Sequence, residues 1–348
     1  MDYDYESYAE HQAGQWVWKV VPPIFIFLGS AGNLLSIVVL TRKSIRKSTT
    51  AIYLVVLAIS DLLVLYTGLF RQWILALFDT DVRHVSSFGC KLHMFLVYFS
   101  LDFSGWILIA VTFERVVLVW IPHSAKSKCS RRTAGVILIT ILAFLFLLNG
   151  HMFFGNGDLQ STTGNETTTV KCTYLDNSYQ NFFENTWPWI DLTIYCIVPF
   201  LSLFIGNILI VTKFLQSRRK LRTQVAPASA SEQKNQKKTS SMTLMLFCLN
   251  TVYLISSVPI SIYLIGYSDW VEPGDAHGQA VSNLLWSLFN VLMYANNTFN
   301  FLLYCLSGQK FRNEVKLILC RHLQRSQTNN SPIEGTKTQM NDATRQHI

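Results

Sequence analysis

The chain has 348 residues, half of them apolar and only 14% charged, with a net charge of +8 and a positive mean hydropathy. A soluble globular protein carries about a quarter charged residues, so the composition excludes that class and points to the membrane. Nor does the net charge indicate a nucleic-acid partner, because the basic residues fall in short clusters between long apolar runs.

In chain order, residues 1–19 read as an extracellular N-terminus. Asp2, Asp4, Glu6 and Glu10 alternate there with Tyr3, Tyr5 and Tyr8, a setting for tyrosine sulfation or for plain acidic disorder. A basic stretch followed by an apolar one is missing, so no cleaved signal peptide is expected. Apolar runs of bilayer-crossing length then lie at 20–41, 51–78, 87–121, 133–154, 187–215, 240–267 and 279–306. The expected fold is an all-α membrane protein, a bundle of seven transmembrane helices spanning 20–306.

Orientation follows from the connecting segments. Arg42, Lys43, Arg46 and Lys47, then Lys126, Lys128, Arg131 and Arg132, then the cluster from Arg218 to Lys238 put alternate loops on the cytoplasmic side. The intervening loops carry no such excess and face outward. Seven cysteines without a Cys-x-x-Cys spacing argue against a zinc site. Only Cys90 and Cys172 fall on the oxidising side, so a Cys90 to Cys172 bridge is expected, with two free thiols as the alternative. Asn165, in an Asn-Glu-Thr sequence in the same outer loop, is a glycosylation acceptor.

After span seven, Gly308 ends the helix. Phe311, Val315, Ile318 and Leu319 recur at helical spacing opposite Arg312, Asn313, Glu314 and Lys316, predicting an amphipathic juxtamembrane helix over 308–320. Cys320 at its end is a palmitoylation candidate or a spare reduced thiol. Residues 321–348 are polar and read as a disordered cytoplasmic tail.

Span three, from Cys90 to Val116, organises the rest. Cys90, Met94, Val97, Leu101, Ser104, Leu108, Val111 and Arg115 step by fours and threes, forming one stripe between its ends. Polar groups in hydrocarbon are expensive and ask for a partner or a role. Asn33, Asp61, Ser104, Asn296, Asn297 and Asn300 lie near mid-depth in spans one, two, three and seven. Converging, they would cage the Asp61 carboxylate, able to hold water or a monovalent cation, or would fix helix packing as a hydrogen-bond network. Glu114 and Arg115 at the inner end read as a guanidinium held by its neighbouring carboxylate and releasable to a partner protein. In the outer half, Arg71, Gln72, Trp73, His93, Asp102, His151, Glu184, Asp191, Trp286, Asn290 and Tyr294 outline a water-accessible cavity. Asp102 lies off the stripe and is expected to pair internally, for instance with Arg71 or His151. Asp191 has no obvious partner and is the preferred ligand contact.

These features resemble a rhodopsin-like (class A) G-protein-coupled receptor. The resemblance rests on Gly32-Asn33, Leu57-Ala58-Ile59-Ser60-Asp61, Cys90, Glu114-Arg115-Val116, Pro199, Pro259 and Asn300-Phe301-Leu302-Leu303-Tyr304. Within the class, WILIAVTFERVVLVWIPHSAKSKCSRR and NFLLYCLSGQKFR look like invertebrate neuropeptide receptors of the FMRFamide group. The resemblance implies a sodium site at Asp61, Ser104, Asn296 and Asn300, a G-protein contact at Arg115, and an inner switch at Tyr304. It also implies a heterotrimeric G protein, arrestin and a receptor kinase as partners, no cofactor beyond an allosteric sodium ion, no enzymatic activity, and a plasma-membrane location. The family's usual Trp before Pro259 is replaced by Ser257, its Tyr in span five by Asn207, and its Pro in span seven by Phe301. No acid stands at the start of span six, where Thr239 sits, which puts an ionic lock to Arg115 in doubt.

Span seven has no lysine for a retinal Schiff base, which excludes an opsin. Val97 stands where amine receptors carry an aspartate, so a peptide, basic or amidated, is the expected ligand. A chemosensory receptor for a small molecule is an alternative, and a transporter or channel is one from another class.

Overall fold

The computed structural model describes residues 5–122, 128–163, 166–223, 247–248, 250–266, 270–272, 274–307 and 311–318. Helix α1 runs over Ala9–Leu40, α2 over Thr49–Phe78, α3 over Ser87–Trp120 and α4 over Arg131–Gly155. A two-stranded antiparallel hairpin follows, β1 at Asn156–Thr163 and β2 at Glu166–Tyr174. Helix α5 extends from Asn177 through Thr223, α6 is described over Asn250–Gly266, α7 spans Ala276–Ser307, and α8 covers 311–318.

Local chemistry sets the helix starts. Ser86, Ser130, Asp176 and Asp275 each accept a hydrogen bond from a backbone N–H three residues on, which satisfies a donor that the helix itself leaves orphaned. Asp79 closes α2 in the left-handed conformation at φ 50°. Single π-helical turns widen α2 at Leu65–Leu69 and α5 at Phe182–Thr186 and Leu192–Ile197. Such turns absorb an extra residue and gather at functional sites.

Five of the described helices are long and apolar enough to cross a membrane. The polarity is inverted relative to a soluble protein: Phe27, Leu147 and Phe154 are exposed, while Asn33, Asp61, Ser104, Asn297 and Asn300 are buried. Helix α7 is less apolar than those five because its buried face carries Asn290, Asn296, Asn297 and Asn300. Helix α1 packs between α2 and α7, and α3 lies against α2, α4 and α5. Helix α8 packs Phe311, Val315 and Ile318 against the bundle, and Glu314 beside them, rather than opposite as expected, binds Arg42 at 2.8 Å and the Ser44 hydroxyl at 2.6 Å.

Two expectations about boundaries need correction. Helix α1 begins eleven residues before the expected start, so most of the supposed N-terminal segment is helical and stacks on α7. Tyr5 packs on His11 and Tyr8 on His277, at ring centroid distances of 5.2 and 5.3 Å, rather than lying in acidic disorder. Helix α5 likewise begins at Asn177 rather than 187. In both places Glu, Gln, His and Asn side chains hold a helix whose polarity hides it from a hydropathy reading. The Asn165 acceptor, Thr239, Cys320 and the tail fall outside the described residues, as does the Tyr304 side chain.

Candidate functional site

The disulfide joins Cys90, at the first turn of α3, to Cys172 in β2, with Cα atoms 5.4 Å apart. It ties the hairpin to the outer end of the bundle. Beside it, Asp81 in the turn between α2 and α3 accepts from two guanidiniums: Arg71 at 3.0 and 2.6 Å, and Arg83 at 2.7 Å. Burial works to raise the Asp81 carboxyl, but the hydrogen bonds from Arg71 and Arg83 outweigh it and hold the group well below the usual carboxylate range.

Deeper in the outer half stand two acids. Asp102 is 2% exposed and accepts from Asn149 Nδ2 at 3.0 Å through Oδ2, while its Oδ1 is buried without a partner among the described residues. Asp102 is thus paired internally, as expected, but with Asn149 rather than with Arg71 or His151. Arg71 is taken by Asp81, and His151 meets the Tyr179 hydroxyl at 2.9 Å and packs edge-on against Trp187. Asn149, one turn from the outer end of α4, carried no charge to attract notice in the sequence.

Asp191 on α5 is half-buried and close enough to Asp102 for their charges to interact. Among the described residues it has no hydrogen-bond or ion-pair partner. Tyr98, Tyr195 and Tyr253 lie within electrostatic reach of both carboxyl groups. The Tyr253 hydroxyl donates to the Tyr195 carbonyl at 2.6 Å, inside the π-helical turn of α5. Its ring fits because Gly105 has no side chain; a Cβ there would stand 2.5 Å from the hydroxyl. Tyr253, one turn before Ser257, is thus a buried aromatic of α6, as is Tyr263.

Of the remaining outer candidates, Gln72 and Trp73 lie on α2, Glu184 on α5, and the others on α3 and α7. His93 senses the charges of Arg71, Arg83 and Asp81. Val97 is half-buried on the same helix. Trp286 packs on Tyr263 at 5.7 Å, Asn290 donates to the Trp286 carbonyl at 2.8 Å, and Tyr294 is buried against Gly68.

At mid-depth the cage assembles around Asp61. Oδ1 accepts from Ser104 at 3.0 Å and Asn297 at 2.8 Å, and Oδ2 from Asn300 at 2.7 Å. Asn33 joins by donating to the Asn297 carbonyl at 3.0 Å. Asn296 does not bond Asp61; Asn297 takes that place. The side-chain oxygens of Asn33, Asn296 and Asn300 are buried without partners among the described residues. Asn300 bonds Asp61 directly, and an orphaned amide oxygen beside a buried carboxylate fits a hard monovalent cation.

At the inner end the expected Glu114 to Arg115 pair is replaced by a relay through α2. Both Thr49 and Thr50 donate to Glu114, Thr50 at 2.7 Å, and the Thr50 hydroxyl in turn accepts from Arg115. Arg115 Nε is buried without a partner among the described residues. Asn207, noted only as a missing Tyr, accepts from Asn250 at 3.0 Å, and Asn250 also donates to Thr112 at 3.1 Å. This links α3, α5 and α6. Neither Asn250 nor Thr112 stood out in the sequence, although an Asn within an apolar span was the available signal.

The profile of the family described as "7 transmembrane receptor (rhodopsin family)" matches residues 32–304. The chain belongs to the rhodopsin-like receptor family. The receptor is 24% identical over 295 residues to a growth hormone secretagogue receptor type 1 of Sus scrofa, covering 84% of this chain and 77% of that one. It is 23% identical over 346 residues to an FMRFamide receptor of Drosophila melanogaster, covering 95% of this chain and 59% of that one. With a lysophosphatidic acid receptor 6 of Gallus gallus it shares 27% identity over 244 residues, 69% of this chain and 73% of that one. The family is one of non-enzymatic membrane receptors that answer a ligand through a heterotrimeric G protein, which removes the transporter alternative.

Proposed function

We propose that the receptor recognises an extracellular peptide carrying a basic group, and that this group sits between Asp102 and Asp191. The observation that carries the reading is a pair of neighbouring carboxyl groups in the outer half, one with a buried oxygen that lacks a partner among the described residues. Two neighbouring carboxyl groups without a counter-charge are costly to bury, and an incoming cation repays that cost. Names among the relatives include peptide and lipid-mediator receptors, so the ligand class rests on this chemistry.

In the same reading the receptor lies in the plasma membrane with its N-terminus outside. Arg71, His93, Val97, Trp286, Asn290 and Tyr294 complete the ligand cavity. Asp61, with Ser104, Asn297 and Asn300, holds a sodium ion. Release of Arg115 from Thr50 exposes it to the G protein, with Tyr304 as the inner switch. Asn165 is glycosylated, Cys320 palmitoylated, and the tail serves a receptor kinase and arrestin.

A neuropeptide library screened with calcium and cAMP readouts supplies an agonist, and Asp191→Asn then tests the reading. Potency of a basic agonist should fall at least about tenfold, or about 1.4 kcal/mol, at unchanged surface expression. Unchanged potency for both Asp191→Asn and Asp102→Asn would remove the acid pair from the site.

A further inference from the structure

The loop joining α1 to α2, residues 41–48, carries a polar tie to α8. Glu314 of α8 receives both contacts: its Oε1 accepts from the Ser44 hydroxyl at 2.6 Å, and its Oε2 meets Arg42 Nε at 2.8 Å. Ser44 is exposed, whereas Glu314 is half-buried beside Phe311 and Val315, which pack on the core. On either side of Ser44 the chain is cationic, with Arg42 and Lys43 before it and Arg46 and Lys47 after it, and the loop holds no acid. Among the described residues Lys43, Arg46 and Lys47 have no carboxylate partner. The neighbouring hydroxyls differ: Thr49 is half-buried and donates to Glu114, and Ser48 has basic residues on its N-terminal side only.

We propose that Ser44 is a phosphorylation site for a basophilic serine/threonine kinase, and that its phosphate releases α8 from the loop. Cations on both sides of an exposed hydroxyl are the charge pattern by which such kinases pick a substrate. In the reaction Ser44 Oγ attacks the γ-phosphorus of ATP, the bond from that phosphorus to the β–γ bridging oxygen breaks, ADP leaves, and the hydroxyl proton passes to the kinase base. The product has no hydroxyl hydrogen, so the bond to Glu314 is lost outright. In its place stands a group of about −1.5 to −2 charge at pH 7, against the Glu314 carboxylate. Attraction becomes repulsion. Arg42 then faces both anions, and the phosphate, with more charge and more acceptor oxygens, takes the guanidinium. A single covalent event thereby removes both polar contacts between Glu314 and the loop, and leaves α8 held by its apolar face alone.

The inference rests on the topology proposed above, which an N-terminal epitope on intact cells tests separately; an internal epitope would sink both, an external one leaves this proposal to its own experiment. The full-length receptor in lipid nanodiscs is incubated with ATP, magnesium and either protein kinase C or cyclic-AMP-dependent protein kinase, and phosphate is located by peptide mass spectrometry. Ser44 should carry it with at least one of the two kinases. Amide hydrogen exchange over residues 311–318 then reports on α8. Phosphorylation should speed that exchange about tenfold, as expected for loss of a hydrogen bond to a charged group. Exchange in Ser44→Ala should not change with the kinase, which controls for phosphate elsewhere. Glu314→Gln, in which the Arg42 ion pair is already gone, should exchange fast from the start and gain no further speed on phosphorylation. No phosphate at Ser44 with either kinase, α8 exchange indifferent to phosphate there, equal speeding in Ser44→Ala, or a wild-type response in Glu314→Gln would each overturn the assignment.

Discussion

Thr50 sits between two charges and decides what each does. Its hydroxyl donates to Glu114 and accepts from Arg115, so it holds the guanidinium that adjacency in the sequence had given to Glu114. Neighbouring helical residues point about 100° apart, which is why Glu114 and Arg115 do not face each other. Replacing Thr50 with Val removes the acceptor and keeps the shape. Losing about 1–1.5 kcal/mol of restraint on Arg115 should raise ligand-independent signalling up to about tenfold in cells matched for surface receptor. Basal signalling equal to wild type would show that Thr50 restrains nothing. Asp61 offers a second test at this scale. Asp61→Asn removes the charge while leaving an acceptor for Ser104, so sodium chloride should lower agonist affinity in the wild type relative to choline chloride and leave the variant unchanged. A variant that keeps the sodium response would place the ion elsewhere. Asp61 and its amide partners were legible because every polar letter in an apolar span needs an explanation. Thr49 and Thr50 were not, since threonine satisfies itself within a helix and draws no attention.

The turn joining α2 to α3 depends on one carboxylate serving two arginines. Asp81→Asn leaves Arg71 and Arg83 beside a neutral amide and should cost about 2 kcal/mol, seen as a lower thermal midpoint of the purified receptor. The pH dependence has a definite sign. The folded-state carboxyl lies below its unfolded value of about 3.9, so its contribution is full above that pH and is lost only as pH falls through the folded value. The gap between wild type and Asp81→Asn should stay constant down to about pH 4 and narrow only in stronger acid. A gap already closed at pH 5 would contradict the clamp. At this scale sequence patterning worked within the hydrocarbon and failed above it. Spans two, three and four agree with the apolar runs to within two residues at each end, because in lipid a helix is the only way to satisfy the backbone. The outward extensions of α1 and α5 and the hairpin carry polar, Thr-rich or aromatic sequence, and their order comes from α7, the disulfide and neighbouring rings.

The whole bundle is organised from outside to inside by polarity that solvent would not tolerate. Its outer end carries a covalent tie: the hairpin meets α3 through the bridge between Cys90 and Cys172 as well as through β1, where the Asp158 N–H donates to the Ser87 hydroxyl. Cys172→Ala should cost about 2–5 kcal/mol, reducing surface expression by flow cytometry and lowering the unfolding midpoint. Expression and midpoint equal to wild type would mean that the hairpin is held without the bridge. The π-helical turn at Leu192–Ile197 bears on how far any relative can guide this receptor. Each extra residue it accommodates rotates the outer part of α5 by about 100° against the inner part. Pro199 and Asn207 lie on one side of that turn and Asp191 on the other, so alignment with a relative lacking the bulge brings one set into register and misplaces the other. Substitutions borrowed from such a relative to alter ligand choice should be numbered from Trp187, between the two π-helical turns of α5, and those meant to alter coupling from Pro199.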